Sequence, residues 1–356
     1  MGIPGGVVSV GSGGGVSGGS GSTAFGPPVW GYASSREFEY EQAVGQQIDL
    51  HQQWQYGTWR RSSDPAVSGR YATMVRTGTG RYTVRLPGMG TAAGAMHATL
   101  SAGWGYQQAV SCQLADAWRD GLDQVADVAC FDQAGIPKNL PFIVVFVGAS
   151  DGPTPMLTTR YDGTGGTGAT VSRIGTGRYT VSATGPFNAR GVADITAVGA
   201  APACCRPTNT TAGLQIAVAC DAQNGAPVDT GWALSYTELV GPHHDPSAPA
   251  AYLTVGGDPA SPTVLTDRSW SSNGETPTVA RTGVGVYDIS YQQIGNPAVY
   301  PADGLMVTAT GSAPRYCRNW AWNSYSFPPK LRILLYCFDA TGQPADSTFT
   351  IAYLRK

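Results

Sequence analysis

The sequence predicts an all-β protein: three tandem immunoglobulin-like β-sandwich repeats, each closed by one intradomain disulfide, behind a glycine-rich N-terminal arm. Three observations predict it. A hairpin motif with paired glycines occurs three times, and a cysteine pair recurs at the same two places in each copy. The composition is also that of short strands and many turns, with 48 Gly, 25 Pro and 13% charged residues in 356. No periodic apolar run argues for a long helix.

The hairpin copies are Arg76-Thr77-Gly78-Thr79-Gly80-Arg81-Tyr82, Arg173-Ile174-Gly175-Thr176-Gly177-Arg178-Tyr179 and Arg281-Thr282-Gly283-Val284-Gly285-Val286-Tyr287. An apolar residue stands two before each Arg (Met74, Val171, Val279) and another two after each Tyr (Val84, Val181, Ile289). That is the alternation of two half-buried strands. Read as a three-residue loop, Gly-x-Gly puts its last glycine at the positive-φ bulge position and pairs Arg with Tyr across the strands. The pairing predicts that Arg76, Arg173 and Arg281 lie over Tyr82, Tyr179 and Tyr287 as cation–π contacts.

The copies recur about every 100 residues, the size of a domain with its own core. Cys112 and Cys130 fall in the first, Cys205 and Cys220 in the second, Cys317 and Cys337 in the third, which leaves Cys204 as a free thiol. Pairs kept in place while the loop between them changes length favour disulfides Cys112–Cys130, Cys205–Cys220 and Cys317–Cys337 over buried thiols. Each bond contributes about 3 kcal/mol on the loop-entropy model. Zinc is the rival, but His51, His97, His243 and His244 are not distributed one set per unit, so neither metal nor cofactor is expected. Disulfides imply an oxidising, extracellular setting.

Behind the second cysteine each unit repeats a Gly-x-Pro turn (Gly135 and Pro137, Gly225 and Pro227, Gly342 and Pro344). Two aromatics on one face of a closing strand follow: Phe142 and Phe146, Trp232 and Tyr236, Phe349 and Tyr353. About seven strands per unit favour a two-sheet sandwich over a closed barrel. The boundaries are a Gly/Ser-rich arm over 1–35, then units over 36–149, 150–241 and 242–356, with a proline-rich linker at 242–249. The arm reads as a flexible linker or as an attachment segment that orders against partner subunits.

A formal net charge of −2 gives no basic footprint for nucleic acid. No stretch is long and apolar enough to predict a membrane span. The start has neither a basic n-region nor an apolar h-region, so it is not an intact secretory signal. Either a signal has been removed, or the protein leaves its cell without one, as virion proteins do on lysis.

Unit three carries Tyr316-Cys317 and Cys337-Phe338-Asp339-Ala340-Thr341-Gly342-Gln343-Pro344-Ala345-Asp346-Ser347-Thr348-Phe349. With the hairpin, these motifs resemble a tandem β-repeat domain of uncharacterised secreted proteins of high-GC bacteria. Unit two departs at Asp221, where Phe is expected, and unit one at Ser111 and Asn139. The hairpin is also similar to pieces of bacteriophage fibre and virion-surface proteins. The resemblance implies a location and an architecture, and carries over no catalytic residue.

Residues found in one unit alone are the better functional candidates, because residues found in all three serve the fold. Trp320, Trp322, Tyr325 and Phe327 lie among Asn and Ser between the cysteines of unit three, a mixture suited to carbohydrate stacking or a protein contact. Trp54, Tyr56 and Trp59 are weaker candidates of the same kind, and for both sets packing is the competing reading. His243-His244-Asp245 reads as a solvated linker, since adjacent imidazoles lack ligand spacing. No nucleophile elbow or zincin helix occurs, so no enzyme is expected. The expected function is a structural or adhesive component of an extracellular or virion-surface assembly, a fibre or decoration protein, in which homo-oligomers are compatible. A secreted carbohydrate- or cell-wall-binding module is the alternative, and a hydrolase without a recognisable motif is the third reading.

Overall fold

The computed structural model describes residues 29–36, 39–90, 94–101, 108–148, 156–162, 166–167, 169–242, 248–294, 303–326 and 329–355; at 166–167, 322–326 and 329 it describes backbone alone. The first unit holds β1 (Trp30–Ser34), β2 (Gln47–Asp49), β3 (Gln55–Gly57), β4 (Thr73–Gly78), β5 (Arg81–Leu86), β6 (Gly94–Leu100), β7 (Ser111–Asp120), β8 (Asp123–Phe131) and β9 (Phe142–Gly148). The second holds β10 (Met156–Tyr161), β11 (Gly166–Thr167), β12 (Thr170–Gly175), β13 (Arg178–Ser182), β14 (Val192–Val198), β15 (Ala203–Thr211), β16 (Gln215–Ala222) and β17 (Gly231–Thr237). The third holds β18 (Ala250–Gly256), β19 (Thr263–Val264), β20 (Trp270–Ser271), β21 (Thr278–Gly283), β22 (Val286–Tyr291), β23 (Asp303–Thr310), β24 (Arg315–Ser326), β25 (Pro329–Asp339) and β26 (Thr348–Arg355). The chain is all-β, and β1 begins inside the stretch expected to be arm.

One plan recurs in each unit. The opening strand pairs with the closing strand, which pairs with the middle strand: β1-β9-β6, β10-β17-β14 and β18-β26-β23. The repeated hairpin joins the two cysteine strands in the other sheet: β4-β5-β8-β7, β12-β13-β16-β15 and β21-β22-β25-β24. The immunoglobulin order instead places the first strand beside the second, so the connections here are different. Arg76 lies opposite Tyr82, Arg173 opposite Tyr179 and Arg281 opposite Tyr287, with a bulge after each Arg. Gly80, Gly177 and Gly285 have φ of +61°, +61° and +66°. A Cβ on Gly177 would stand 2.3 Å from the Cys220 carbonyl oxygen, so glycine is required there for space as well as conformation.

Cys112, Cys205 and Cys317 each face their partner directly across the strands, and all three intradomain disulfides are formed. The paired aromatics of the closing strands are buried: Trp232, Tyr236, Phe349 and Tyr353 are fully enclosed. In unit two, Tyr161, Tyr179 and Trp232 pack ring on ring between the two sheets, with centroids 4.8–5.9 Å apart.

The units are not strung apart on linkers; each touches both others. Between units one and two, β14 runs parallel beside β7 at Val198 and Leu114, which makes a nine-stranded sheet. Trp30, Tyr32, Ile143, Val145 and Val147 of unit one join the core cluster of unit three. A buried side chain after each first cysteine reaches the next unit. Gln113 donates to the Gly199 and Ala201 carbonyls, Arg206 to those of Gly311 and Ser312, and Arg318 to that of Gln108. One, two, three and back to one: the contacts close a ring around a pseudo-threefold axis.

Candidate functional site: the axis and the seams of the ring

The middle strands β6, β14 and β23 meet at the centre of the ring. Their registers against the closing strands make Thr99, Thr196 and Thr308 equivalent, and likewise His97, Asp194 and Met306 two residues earlier on the same face. A cavity of about 110 Å³, lined by residues of all three units including these, runs along the axis toward Ser111, Cys204 and Tyr316.

The polar contacts around the axis follow the ring. The His97 imidazole Nδ1 lies 3.2 Å from Thr196 Oγ1, and Thr308 Oγ1 donates to the Asp194 carboxylate at 3.3 Å. At the third position Met306 offers no such group to Thr99. Both ionisable groups are almost wholly buried. Burial pushes the Asp194 carboxyl up to about 7, with the Thr308 and Thr350 hydroxyls opposing it, and pushes His97 down to about 3. Both are therefore held neutral over much of the range between. His97 Nε2 meets no hydrogen-bond partner among the described residues. Cys204, half-buried above them, points its thiol at the Arg315 carbonyl, and burial pushes it up to about 11. Such a thiol is a poor nucleophile at neutral pH. No cluster of three His, Cys, Asp or Glu side chains that could hold a metal occurs among the described residues, and no helix there is long and apolar enough to cross a membrane.

Two of the three hairpin arginines find carboxylates rather than tyrosine faces. Arg173 forks onto Asp229 at 2.9 and 2.7 Å, and Arg281 onto Asp346 at 2.9 and 3.0 Å. Each carboxylate also accepts the last loop glycine's N–H and the tyrosine hydroxyl. A bidentate charged pair outcompetes a ring face within reach of the same guanidinium. Unit one has Asn139 at that position, so Arg76 turns to the Gly78 and Gln42 carbonyls instead.

The aromatic candidates of unit one are packing residues. Trp54, Tyr56 and Trp59 are all buried, and the Trp59 ring lies so close to Gly31 and Gly57 that neither position has room for a Cβ. In unit three, Trp320 is half-buried with its ring edge-on to Tyr336 at 5.4 Å. The side chains of Trp322 and Tyr325, all of Phe327, and the pair His243 and His244 lie outside the described residues. Trp118, which the sequence reading passed over, stands 40% exposed at the seam of units one and two. Its signal was available, since no other unit has an aromatic at that place in the first cysteine strand.

Comparison with known proteins supplies no relative: no family model matches the chain, and no curated protein or solved structure matches it.

Proposed function

We propose that this chain is a non-catalytic structural or adhesive β-repeat protein of an extracellular or virion-surface assembly, of the fibre or decoration type. The observation that carries the reading is the closed ring. Three linked copies contacting one another head to tail reproduce, in one polypeptide, the arrangement of a trimeric head, a form suited to a fixed surface position. Three cross-strand disulfides support an oxidising location. The glycine-rich leader supplies the attachment to neighbouring subunits, and β1 limits it to the residues before Trp30.

The test is deletion of residues 1–28. The truncated protein should keep its fold and disulfides yet fail to co-sediment with the particles or surface fraction that carry the full chain. Equal recovery of both forms in the soluble fraction overturns the assembly role. A second reading, a secreted carbohydrate-binding module, is favoured by the half-exposed Trp118 at a seam.

A further inference from the structure

An edge strand presents a row of unpaired N–H and C=O groups, and units one and three treat the same edge differently. In unit one the chain lays β2 antiparallel along β4, with Ile48 opposite Met74. On either side of β2, Gly45 N–H donates to the Arg76 carbonyl and Leu50 N–H to that of Ala72. Unit three begins alike. Its Tyr287 hydroxyl donates to the Pro259 carbonyl, as that of Tyr82 does to Tyr40, so both chains reach the same end of the hairpin. From there unit three turns straight back to its other sheet, where β19 pairs with β18 and Leu265 N–H donates to the Thr254 carbonyl. Among the described residues no strand takes the place of β2, and β21 ends its four-stranded sheet.

The open edge has the form that β2 covers in unit one. Met74 lies between Ala72 and Arg76, whose carbonyls point outward, so its own N–H and C=O point the same way. By register, Pro277, Val279 and Arg281 hold those three places in unit three. Val279 packs on the rim of the unit-three core and stays half-buried, whereas Met74, beside Ile48, is 1% exposed. The usual guards of an edge are missing. β21 contains neither Lys nor Pro, and its one charge, Arg281, is forked onto Asp346 with the pair only 27% and 22% exposed. On β12, the matching edge of unit two, the Arg173–Asp229 pair stands 46% exposed on both sides and keeps that edge wet.

We propose that β21 receives the leader of a neighbouring copy, with Val7-Val8-Ser9-Val10 added antiparallel as a fifth strand and Val8 in the place of Ile48. The proposal deepens the assembly reading and rests on it. Val7-Val8 is the one run of β-branched residues before Trp30, Gly6 and Gly11 bound the stretch, and alternation puts Val8 and Val10 on one face. Three residues with a single isoleucine already cover the edge of unit one. From Val10 to Trp30 the chain can extend about 66 Å, at roughly 3.3 Å per residue, which is enough to bridge two copies. Donor and receptor are different surfaces of one chain, so copies add head to tail.

Sedimentation velocity of the full chain tests this. The sedimentation coefficient should rise as the concentration passes roughly 100 µM, as suits one short added strand. Val8→Pro removes a ladder N–H from a residue outside every described element, and Val279→Lys guards the edge, so each variant should stay monomeric. Val171→Lys, the same change on β12, should associate as the parent does. Val8→Pro and Val279→Lys mixed in equal amounts should form a one-to-one dimer and nothing larger, because one keeps only the receptor and the other only the donor. Three results overturn the proposal: the full chain remains monomeric up to about 500 µM, either single variant associates like the parent, or the mixture stays monomeric. Any of them, with the 1–28 deletion still failing to co-sediment, leaves the assembly role standing and places the leader's receptor elsewhere.

Discussion

Units two and three fill the same positions with different chemistry. After its second cysteine, unit two has Asp221, buried between Arg206 at 2.5 Å and Arg178 at 2.9 Å. Unit three has Phe338 there, and Arg318, the counterpart of Arg206, lies over the Phe338 and Tyr336 rings at 5.4 and 5.9 Å. Burial pushes Arg318 down to about 10. Unit one sides with unit three, placing Arg81 over Phe131 at 5.1 Å. On the axis the contrast continues: Asp194 in one, Met306 in the other. The arginine that crosses one seam is thus anchored within its own unit by an ion pair and the one that crosses another by ring faces, while the strand plan beneath stays the same. The scaffold fixes where a side chain must reach and tolerates more than one way of satisfying it.

The sharpest way to break this comparison is Asp221→Ala, which leaves Arg206 buried without its counter-ion. A loss of about 3–5 kcal/mol is expected, read from the urea midpoint. Asp221→Phe, which installs the residue of the other units, should lose less; an equal loss would mean that the two solutions are not interchangeable. Next in size, Cys205→Ala with Cys220→Ala and Cys317→Ala with Cys337→Ala should each cost about 3 kcal/mol, nearly equally, because the loops closed are of similar length. A large inequality would show that the two units draw on their bonds differently.

The axis gives a smaller, pH-dependent effect. Asp194 titrates at about 7 when folded and near 3.9 when unfolded, so between those values the unfolded chain holds fewer protons at this group and stability falls as pH rises. His97 titrates at about 3 when folded and near 6.5 when unfolded, so across most of the same window it makes stability rise with pH. Each slope is at most about 1.4 kcal/mol per pH unit, and they oppose. His97→Gln should therefore expose a stability that declines from about pH 4 to 7, and Asp194→Asn one that climbs, both measured by denaturant titration across that range. Flat profiles in both variants would break the asymmetry drawn between Asp194 and Met306. The smallest effect is expected from Asp229→Asn, which copies Asn139 of unit one: the Arg173 pair is exposed and solvent-screened, so the thermal midpoint should barely move.

The hairpins, their bulge glycines, the three disulfides and the closing-strand aromatics were legible because each is set by local alternation and by residues close in the chain. Asp221 was visible as a departure, and its partners were not, since Arg206 acts from across the hairpin. The ring was hidden for a similar reason: Gln113, Arg206 and Arg318 carry its polar seams singly, and their acceptors are backbone carbonyls, which leave no mark in side-chain identity. Trp54, Tyr56 and Trp59 stayed weak binding candidates beside the packing reading because composition distinguishes an aromatic from a polar neighbour but not a buried ring from an exposed one. Arg76, Arg173 and Arg281 were paired correctly across the strands, yet the carboxylates that capture two of them lie 56 and 65 residues further along the chain.

Closure also bears on how such a chain can grow. In a linear array every added copy finds an open end, so length is free to drift as repeats are gained or lost. Here the first and third copies occupy each other's outer faces, and Gly304 lies so close to Tyr32 that a Cβ there would come within 2.9 Å of the ring. A fourth copy could enter the ring only by breaking such a contact, and the removal of one would expose apolar faces that the described residues bury between units.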